Sequence, residues 1–388
     1  MKIENKVSSR VAEVSPSGIR KFFELVIGME DVISLGVGEP DFVTPWHIRE
    51  ACIYALEKGH TTYTSNLGLI ELREEIAKKY EKEQNASYLP ESEILVTTGV
   101  SEAFDIAMRA VLNPGDEVIL PEPNYVAYKP CIIFAGGTPV ILETRQEDNF
   151  RINIDELRKK ITKKTKAIIL NYPNNPTGAT YKKKELEEIA DIAVEHELIV
   201  ISDEIYEKLT YDAKHTSFSS LNGMKEQSII LNGFSKAYAM TGLRVGYALA
   251  PAKLLECMVK IHQYTMLCAP IIAQIGAIEA LRNGESEVER MVKEYNRRRR
   301  IIVKRLNELN LPCTMPEGAF YVFPSIENTK MTSEEFSLGL LKKHKVAVVP
   351  GNAFGSCGEG FIRCAYAASA EDINLALERV EKYLKENR

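Results

Sequence analysis

The chain has 388 residues, 45% hydrophobic and 27% charged, which is enough apolar material to bury a core and too much for a disordered chain. Lys and Arg number 49 against 54 Asp and Glu, a net charge of −5 that leaves no generic basic footprint for nucleic acid. No apolar run approaches the ~18 residues of a membrane span, and the opening MKIENKVSSRVAEVSPSGIR lacks the apolar centre of a signal peptide, so a cytoplasmic protein is expected.

Strands alternating with amphipathic helices are predicted along most of the chain. EILVTT (93–98) is a short apolar run closed by Gly99, and a helical pattern follows in SEAFDIAMRAVL until Asn113-Pro114-Gly115 stops it. DEVILPEP, TPVILE and KAIILNYP read as three further strands. The helix KKKELEEIADIAVEHE then leads into LIVISD, and SIILNGFSK and RVGYALA complete the series. Buried strands alternating with helices indicate an α/β fold with a mostly parallel sheet. This region spans roughly 45–275 and is expected to be the larger domain. After it comes the long charged helix ESEVERMVKEYNRRRRIIVKRLNEL, then GAFYVFP, the helix SEEFSLGLLKKH, the strands VAVVP and FIRCAYAA, and a final helix. Residues 276–388 are thus expected to form a smaller α+β domain. The run Arg297–Arg300 lies inside a helical pattern with Glu287, Glu289 and Glu294 nearby, so a solvated or salt-bridged helix is expected there, not a nucleic-acid site.

The seven cysteines, Cys52, Cys131, Cys257, Cys268, Cys313, Cys357 and Cys364, are scattered and never spaced as CxxC. Reduced, mostly buried thiols are expected, with neither a zinc ribbon nor a disulfide framework. HExxH, GxSxG and GxxxxGK[ST] are absent, so zinc proteases, serine hydrolases and P-loop NTPases lose their usual markers.

Polar and special residues gather where the apolar runs stop. Val100 and Ser101 follow the first strand, Tyr125 the second, Asn175 the fourth, Asp203 and Tyr206 the fifth, and Lys236 the sixth. Open α/β sheets bind ligands beyond the carboxyl ends of their strands. A lysine just past a buried strand can lose its solvation and become a nucleophile toward carbonyls. An acid can pair with a cationic ring nitrogen, a tyrosine or asparagine can bond a phenolic oxygen, and the first N–H groups of a helix can hold a phosphate. Together these functions describe pyridoxal 5′-phosphate (PLP).

At these residues the sequence resembles the class I/II aminotransferases, the PLP enzymes of fold type I. GFSKAYAMTGLRVGY is similar to their lysine segment, and LGVGEPDF, TTYTSNLGLIELR, NYPNNPTG, SDEIY and PGNAFG match their other segments. The resemblance runs from about residue 10 to 385 and is strongest to the Iγ subgroup, especially the archaeal aromatic-amino-acid aminotransferases. It implies a large PLP-binding domain and a smaller one that residues 1–44 help to build as an arm. It also implies a homodimer with shared active sites that moves an amino group between an amino acid and a 2-oxo acid.

Residue by residue, the resemblance makes Lys236 the Schiff-base lysine that also moves the proton between Cα and C4′. Asp203 becomes the partner of the pyridine nitrogen, Tyr206 and Asn175 the pair on the ring oxygen, and Tyr125 the aromatic stacked on the ring. Val100 and Ser101 become the phosphate cradle and Arg244 the phosphate arginine, while Tyr63 reaches the phosphate of the neighbouring subunit. Arg363 in FIRCAYA grips the substrate α-carboxylate, with the Gly38 backbone and Asn175 beside it. No metal is implied.

Two positions depart from the family. Gly233 stands where many relatives place a serine on the phosphate. Ser101 stands where some aspartate-preferring relatives carry a lysine, which argues against strict aspartate specificity. Ile19, Tyr264, Met266 and Leu267, near the family's substrate entrance, are expected to pack an aromatic donor side chain, with acidic donors also accepted and 2-oxoglutarate as acceptor. The alternatives are an aspartate- or alanine-preferring aminotransferase, a PLP lyase or decarboxylase of the same fold, a ligand-sensing regulator and a nicotinamide dehydrogenase. The last lacks GxGxxG, since Gly36-x-Gly38 has no third glycine.

Overall fold

Seven of the apolar runs form one sheet in the computed structural model, which describes residues 6–16, 18 and 26–387. In chain order they are β1 (Ile94–Thr97), β2 (Glu117–Glu122), β3 (Thr138–Glu143), β4 (Thr165–Asn171), β5 (Ile199–Asp203), β6 (Ser228–Gly233) and β7 (Gly246–Leu249). Their order across the sheet is β1-β7-β6-β5-β4-β2-β3, and every pairing is parallel except those of β7, which is antiparallel to both β1 and β6.

The strands read as continuous apolar runs because both faces of the sheet are covered. Alternate residues enter two different cores. Ile94, Ile168, Val200 and Ile230 pack toward helices α2 (Ile70–Gln84), α4 (Lys183–Glu195) and α6 (Ile271–Asn283). Leu95, Ile169, Ile201 and Ile229 pack toward α3 (Val100–Val111) and α5 (Ala252–Thr265). Helix α1 (Trp46–Glu57) lies against α6.

A third core gathers around α7 (Glu285–Glu308), α8 (Ser333–His344) and α9 (Ala370–Glu386). Its three-stranded antiparallel sheet places Ile362–Ala365 between Val349–Pro350 and Tyr321–Val322. The segment Ile33–Ser34 pairs in parallel with Val346–Ala347, so chain from before the large sheet helps build this lobe.

Arg297, Arg298 and Arg299 of the arginine run on α7 are ion-paired, as expected, but two of them point inward. Arg298 holds Asp41 and Glu294, Arg299 holds Asp212 and the Pro316 carbonyl, and both are buried. The thiols are unpaired, yet only Cys52, Cys313 and Cys364 are buried, while Cys257 is exposed, so the expectation of mostly buried cysteines holds for three. Among the described residues no helix is long and apolar enough to cross a membrane.

Candidate active site

Because β7 runs against its neighbours, its amino end lies beside the carboxyl ends of β1 and β6. One edge of the sheet therefore receives Gly99–Ser101 after β1, Asn171 and Asn175 at and after β4, Asp203 at the tip of β5, Lys236 after β6 and Arg244 just before β7. All of these but Gly99 line a cavity of about 500 Å3 together with Gly38, Tyr125, Tyr206, Tyr321 and Arg363. Ten of the eleven residues singled out from the sequence meet there. The eleventh, Tyr63, does not; it is 81% exposed on the surface of this chain.

Asp203 is the last residue of β5, and its carboxylate is held from two sides. The Tyr128 hydroxyl donates to Oδ2 at 2.6 Å and the Ile205 N–H to Oδ1 at 3.1 Å. Burial pushes its pKa up from 3.8 to about 6, the two donors offsetting only part of the desolvation. Lys236 is the complementary case. Burial first, and the Arg363 charge second, lower its amine to about 8, and Nζ donates to the Gly38 carbonyl at 2.5 Å. An amine in that range is partly neutral near pH 8 and can act as nucleophile and base.

Arg363 sits on the central strand of the small sheet and is buried. It donates to Asn175 Oδ1 at 2.9 Å and to the Gly36 carbonyl at 2.6 Å, and its guanidinium lies 4.5 Å from the Tyr321 ring centroid and 4.8 Å from that of Phe354. Its Nε is buried without a partner, and no carboxylate pairs with it among the described residues. A buried cation short of an acid is costly unless an anion is brought to it.

At the other end of the cavity α3 begins at Gly99 (φ 80°) with no side chain capping its free N–H groups. The macrodipole and these donors favour an anion, and Arg244 adds a charge. A Cβ at Gly99 would lie 2.7 Å from the Arg244 guanidinium, so the glycine leaves room for the arginine to close over the turn. Gly233 has its own steric reason, because a Cβ there would meet the Cα of Gly246, its partner across the antiparallel β6–β7 pair, at 2.8 Å. A serine at this position has no room without moving backbone.

Sequence reasoning missed Tyr128, Asn171 and Tyr321. Tyr128 stands three residues after Tyr125 in PNYVAYKP, and its ring packs edge-on against Tyr125. The Asn171 amide donates to the Asp203 carbonyl and its Oδ1 accepts the Asn175 N–H, so it spaces β4 from β5. Tyr321 pairs its hydroxyl with that of Tyr206 at 2.8 Å. A second aromatic within a motif was the available signal for Tyr128; Tyr321 had none. Of the expected entrance residues, Tyr264, Met266 and Leu267 are exposed and do not line this chain's cavity. Ile19 lies outside the described residues.

The family profile of aminotransferase class I and II matches residues 30–380. A putative aminotransferase of Bacillus subtilis is 53% identical over 378 residues, covering 97% of this chain and 98% of its own. An aspartate aminotransferase of Pyrococcus abyssi is 52% identical, covering 98% and 99%. A crystal structure of an aromatic aminotransferase from Pyrococcus horikoshii superposes with a TM-score of 0.90 at 51% identity, covering 95% of this chain and 99% of that one.

Proposed function

The chain belongs to the class I and II aminotransferases and is a transaminase of amino acids and 2-oxo acids, and from that premise we propose that it works with PLP held on Lys236. The single observation carrying this reading is that the buried Asp203 and Arg363 and the half-buried Lys236 face one cavity with the charges a PLP–amino acid pair requires. The donor set fits the cofactor from end to end. The uncapped start of α3, Ser101 and Arg244 suit its phosphate, Asp203 its ring nitrogen, Tyr206 and Asn175 its ring oxygen, and Tyr125 its ring face.

When bound, PLP supplies an electrophilic aldehyde and a protonated ring that draws electrons from the substrate's Cα. Asp203 keeps the ring nitrogen protonated, because a pyridinium beside it relieves the buried carboxylate of its missing counter-charge. Arg363 fixes the substrate α-carboxylate through its unpartnered Nε edge, with Asn175 and the Gly38 backbone alongside. Lys236 Nζ, the amine of the cavity, would carry the proton to and from the substrate's Cα. Tyr206, Tyr321 and Phe104 line the cavity with aromatic rings.

We assign two subunits to the working enzyme. Val43, Trp46, Tyr54, Tyr63 and Tyr264 are all more than half exposed, an apolar surface of the kind that marks an interface. Asn66 donates to the Leu267 carbonyl at 2.7 Å, tying the Tyr63 loop to the turn that bears Met266 and Leu267. On this reading Tyr63 reaches the partner's phosphate, and the donor pocket is completed across the interface. Inactive Tyr63 and Lys236 variants should then partly complement each other when mixed, whereas a fully active monomer would rule the assignment out.

For donors we propose aromatic amino acids, with acidic ones also accepted and 2-oxoglutarate as acceptor. Ser101 puts no fixed cation in the pocket wall, and a few apolar contacts give preference without exclusivity. The test is kcat/KM for tyrosine, phenylalanine, aspartate, alanine and glutamate on the PLP-loaded protein. An aspartate or alanine value about a hundredfold above both aromatics would overturn the donor assignment. Absence of a borohydride-reducible link to Lys236 would overturn the cofactor assignment.

A further inference from the structure

Tyr321 lies on an edge strand of the small sheet, opposite Ala365, and its side chain crosses into the cavity between two groups with assigned work. Its ring lies under the Arg363 guanidinium, and its hydroxyl meets that of Tyr206 at 2.8 Å. The route is kept open by Gly38, where a Cβ would come within 2.8 Å of the Tyr321 hydroxyl. Both tyrosines are fully buried, and among the described residues the Tyr321 hydroxyl has no other hydrogen-bond partner.

A phenol has one proton to donate. If Tyr206 donates its proton to the cofactor's ring oxygen, the bond between the two hydroxyls persists only with Tyr321 as donor and Tyr206 as acceptor. Hydrogen bonds in such a chain polarise one another, so the second bond strengthens the first in a low-dielectric site. We propose that Tyr321 is a positioning residue, whose hydroxyl donates to the Tyr206 oxygen and so orients and strengthens the Tyr206 hydrogen bond to the PLP ring oxygen. This rests on the assignment of PLP to Lys236 and of Tyr206 to the ring oxygen made above.

The consequence is measurable without turnover. A donor to the ring oxygen stabilises negative charge there and favours the unprotonated form of the lysine–PLP linkage. Weakening that donor raises the pKa read from the visible absorbance of the loaded protein. Arg363, Asp203 and Tyr125 face the tyrosine pair, and Arg363, Glu39, Arg244 and Asp203 face Lys236. Tyr321→Phe changes none of these charges and retains the ring beneath Arg363, so the hydroxyl is tested alone.

The experiment titrates the absorbance of PLP-loaded wild type, Tyr321→Phe, Tyr206→Phe and the double variant. Tyr321→Phe is expected to raise the pKa by about half a unit to one unit, the size of one ordinary hydrogen bond. Tyr206→Phe is expected to raise it further, and adding Tyr321→Phe to it should change nothing. The acid limb of kcat/KM should move with the absorbance, and KM for the carboxylate substrate should stay near the wild-type value because Arg363 keeps its stack. A shift with Tyr206→Phe but none with Tyr321→Phe overturns the proposal, as do fully additive shifts in the double variant. No shift with Tyr206→Phe instead removes Tyr206 from the ring oxygen, and the proposal falls with that assignment.

Discussion

Asp203 and Glu204 are neighbours at the tip of β5, equally buried, and they face opposite ways. Glu204 turns from the cavity and finds a complete set of donors. Oε1 accepts from Ser202 Oγ at 2.9 Å, Ser217 Oγ at 3.1 Å and the Phe218 N–H at 2.9 Å, while His215 Nε2 lies 3.0 Å from Oε2. Burial alone would raise its pKa; the His215 hydrogen bond and charge, with the Phe218 N–H, outweigh it and hold the carboxyl below its ordinary value. Glu207 beside it carries Lys79. The trio Glu204, Glu207 and His215 is close enough to gather a metal ion, but Lys79 already brings a cation to it. Asp203 has two donors, and the Lys236 charge offsets too little of its burial, so its pKa rises. One carboxylate is satisfied within the chain and belongs to the fold. The other is left in deficit, as is Arg363, and a ligand makes up the difference.

If that contrast is right, substitutions on the two sides should fail differently. The largest effect is expected at Lys236, where Lys236→Ala should lower kcat by at least about a thousandfold. Transamination at a normal rate would place the nucleophile elsewhere.

Asp203→Asn should follow, with kcat down by at least about a hundredfold in the PLP-replete protein. The same substitution should stabilise the PLP-free protein. With the native pKa raised to about 6 from 3.8, both states are protonated at low pH and burial costs nothing. Stability then falls as the pH rises through that interval, and the full penalty stands above it. Asp203→Asn should therefore add about 2–3 kcal/mol to the PLP-free protein at pH 7 and nothing below about pH 3, read from urea unfolding at both pH values. A stability loss at pH 7 would mean that Asp203 is satisfied after all.

Arg363→Lys keeps the charge and loses the planar fork, so KM for amino and 2-oxo acids should rise about 10–100-fold with a smaller change in kcat. The smallest kinetic effect is expected on the satisfied side. Glu204→Gln should leave kcat within about threefold while costing about 2–3 kcal/mol of stability, because a charged acceptor is lost from five buried donors, the Tyr172 hydroxyl included. A tenfold fall in kcat at unchanged stability would erase the distinction between the two faces.

The sheet was legible because strands covered on both faces must be apolar throughout, and runs such as LIVISD and SIILNG carry little else. The strand-end residues were legible for the same reason, since Asp203 and Lys236 interrupt that pattern abruptly. What escaped depends on partners far apart in sequence. Nothing in YVF distinguishes Tyr321 from a core aromatic until Tyr206 and Arg363 are placed around it. The burial of Arg298 and Arg299 was hidden because a run of four arginines has no amphipathic pattern to read, and Asp41 and Asp212 lie in distant segments. The two-residue pairing of Ile33–Ser34 with Val346–Ala347 is too short to leave any periodic signal.

That last pairing bears on the order in which the enzyme comes into being. A chain made from its amino end can lay down the whole seven-stranded sheet, with Lys236, Asp203 and the phosphate turn, while the ribosome is still translating α7. Arg363 arrives near the end, and the Gly36 carbonyl that orients it has been waiting since the first tenth of synthesis. The cavity thus has its Lys236 and Asp203 end in place before Arg363, the residue that holds a carboxylate, is made, and it is whole only once the last strand lies between its neighbours.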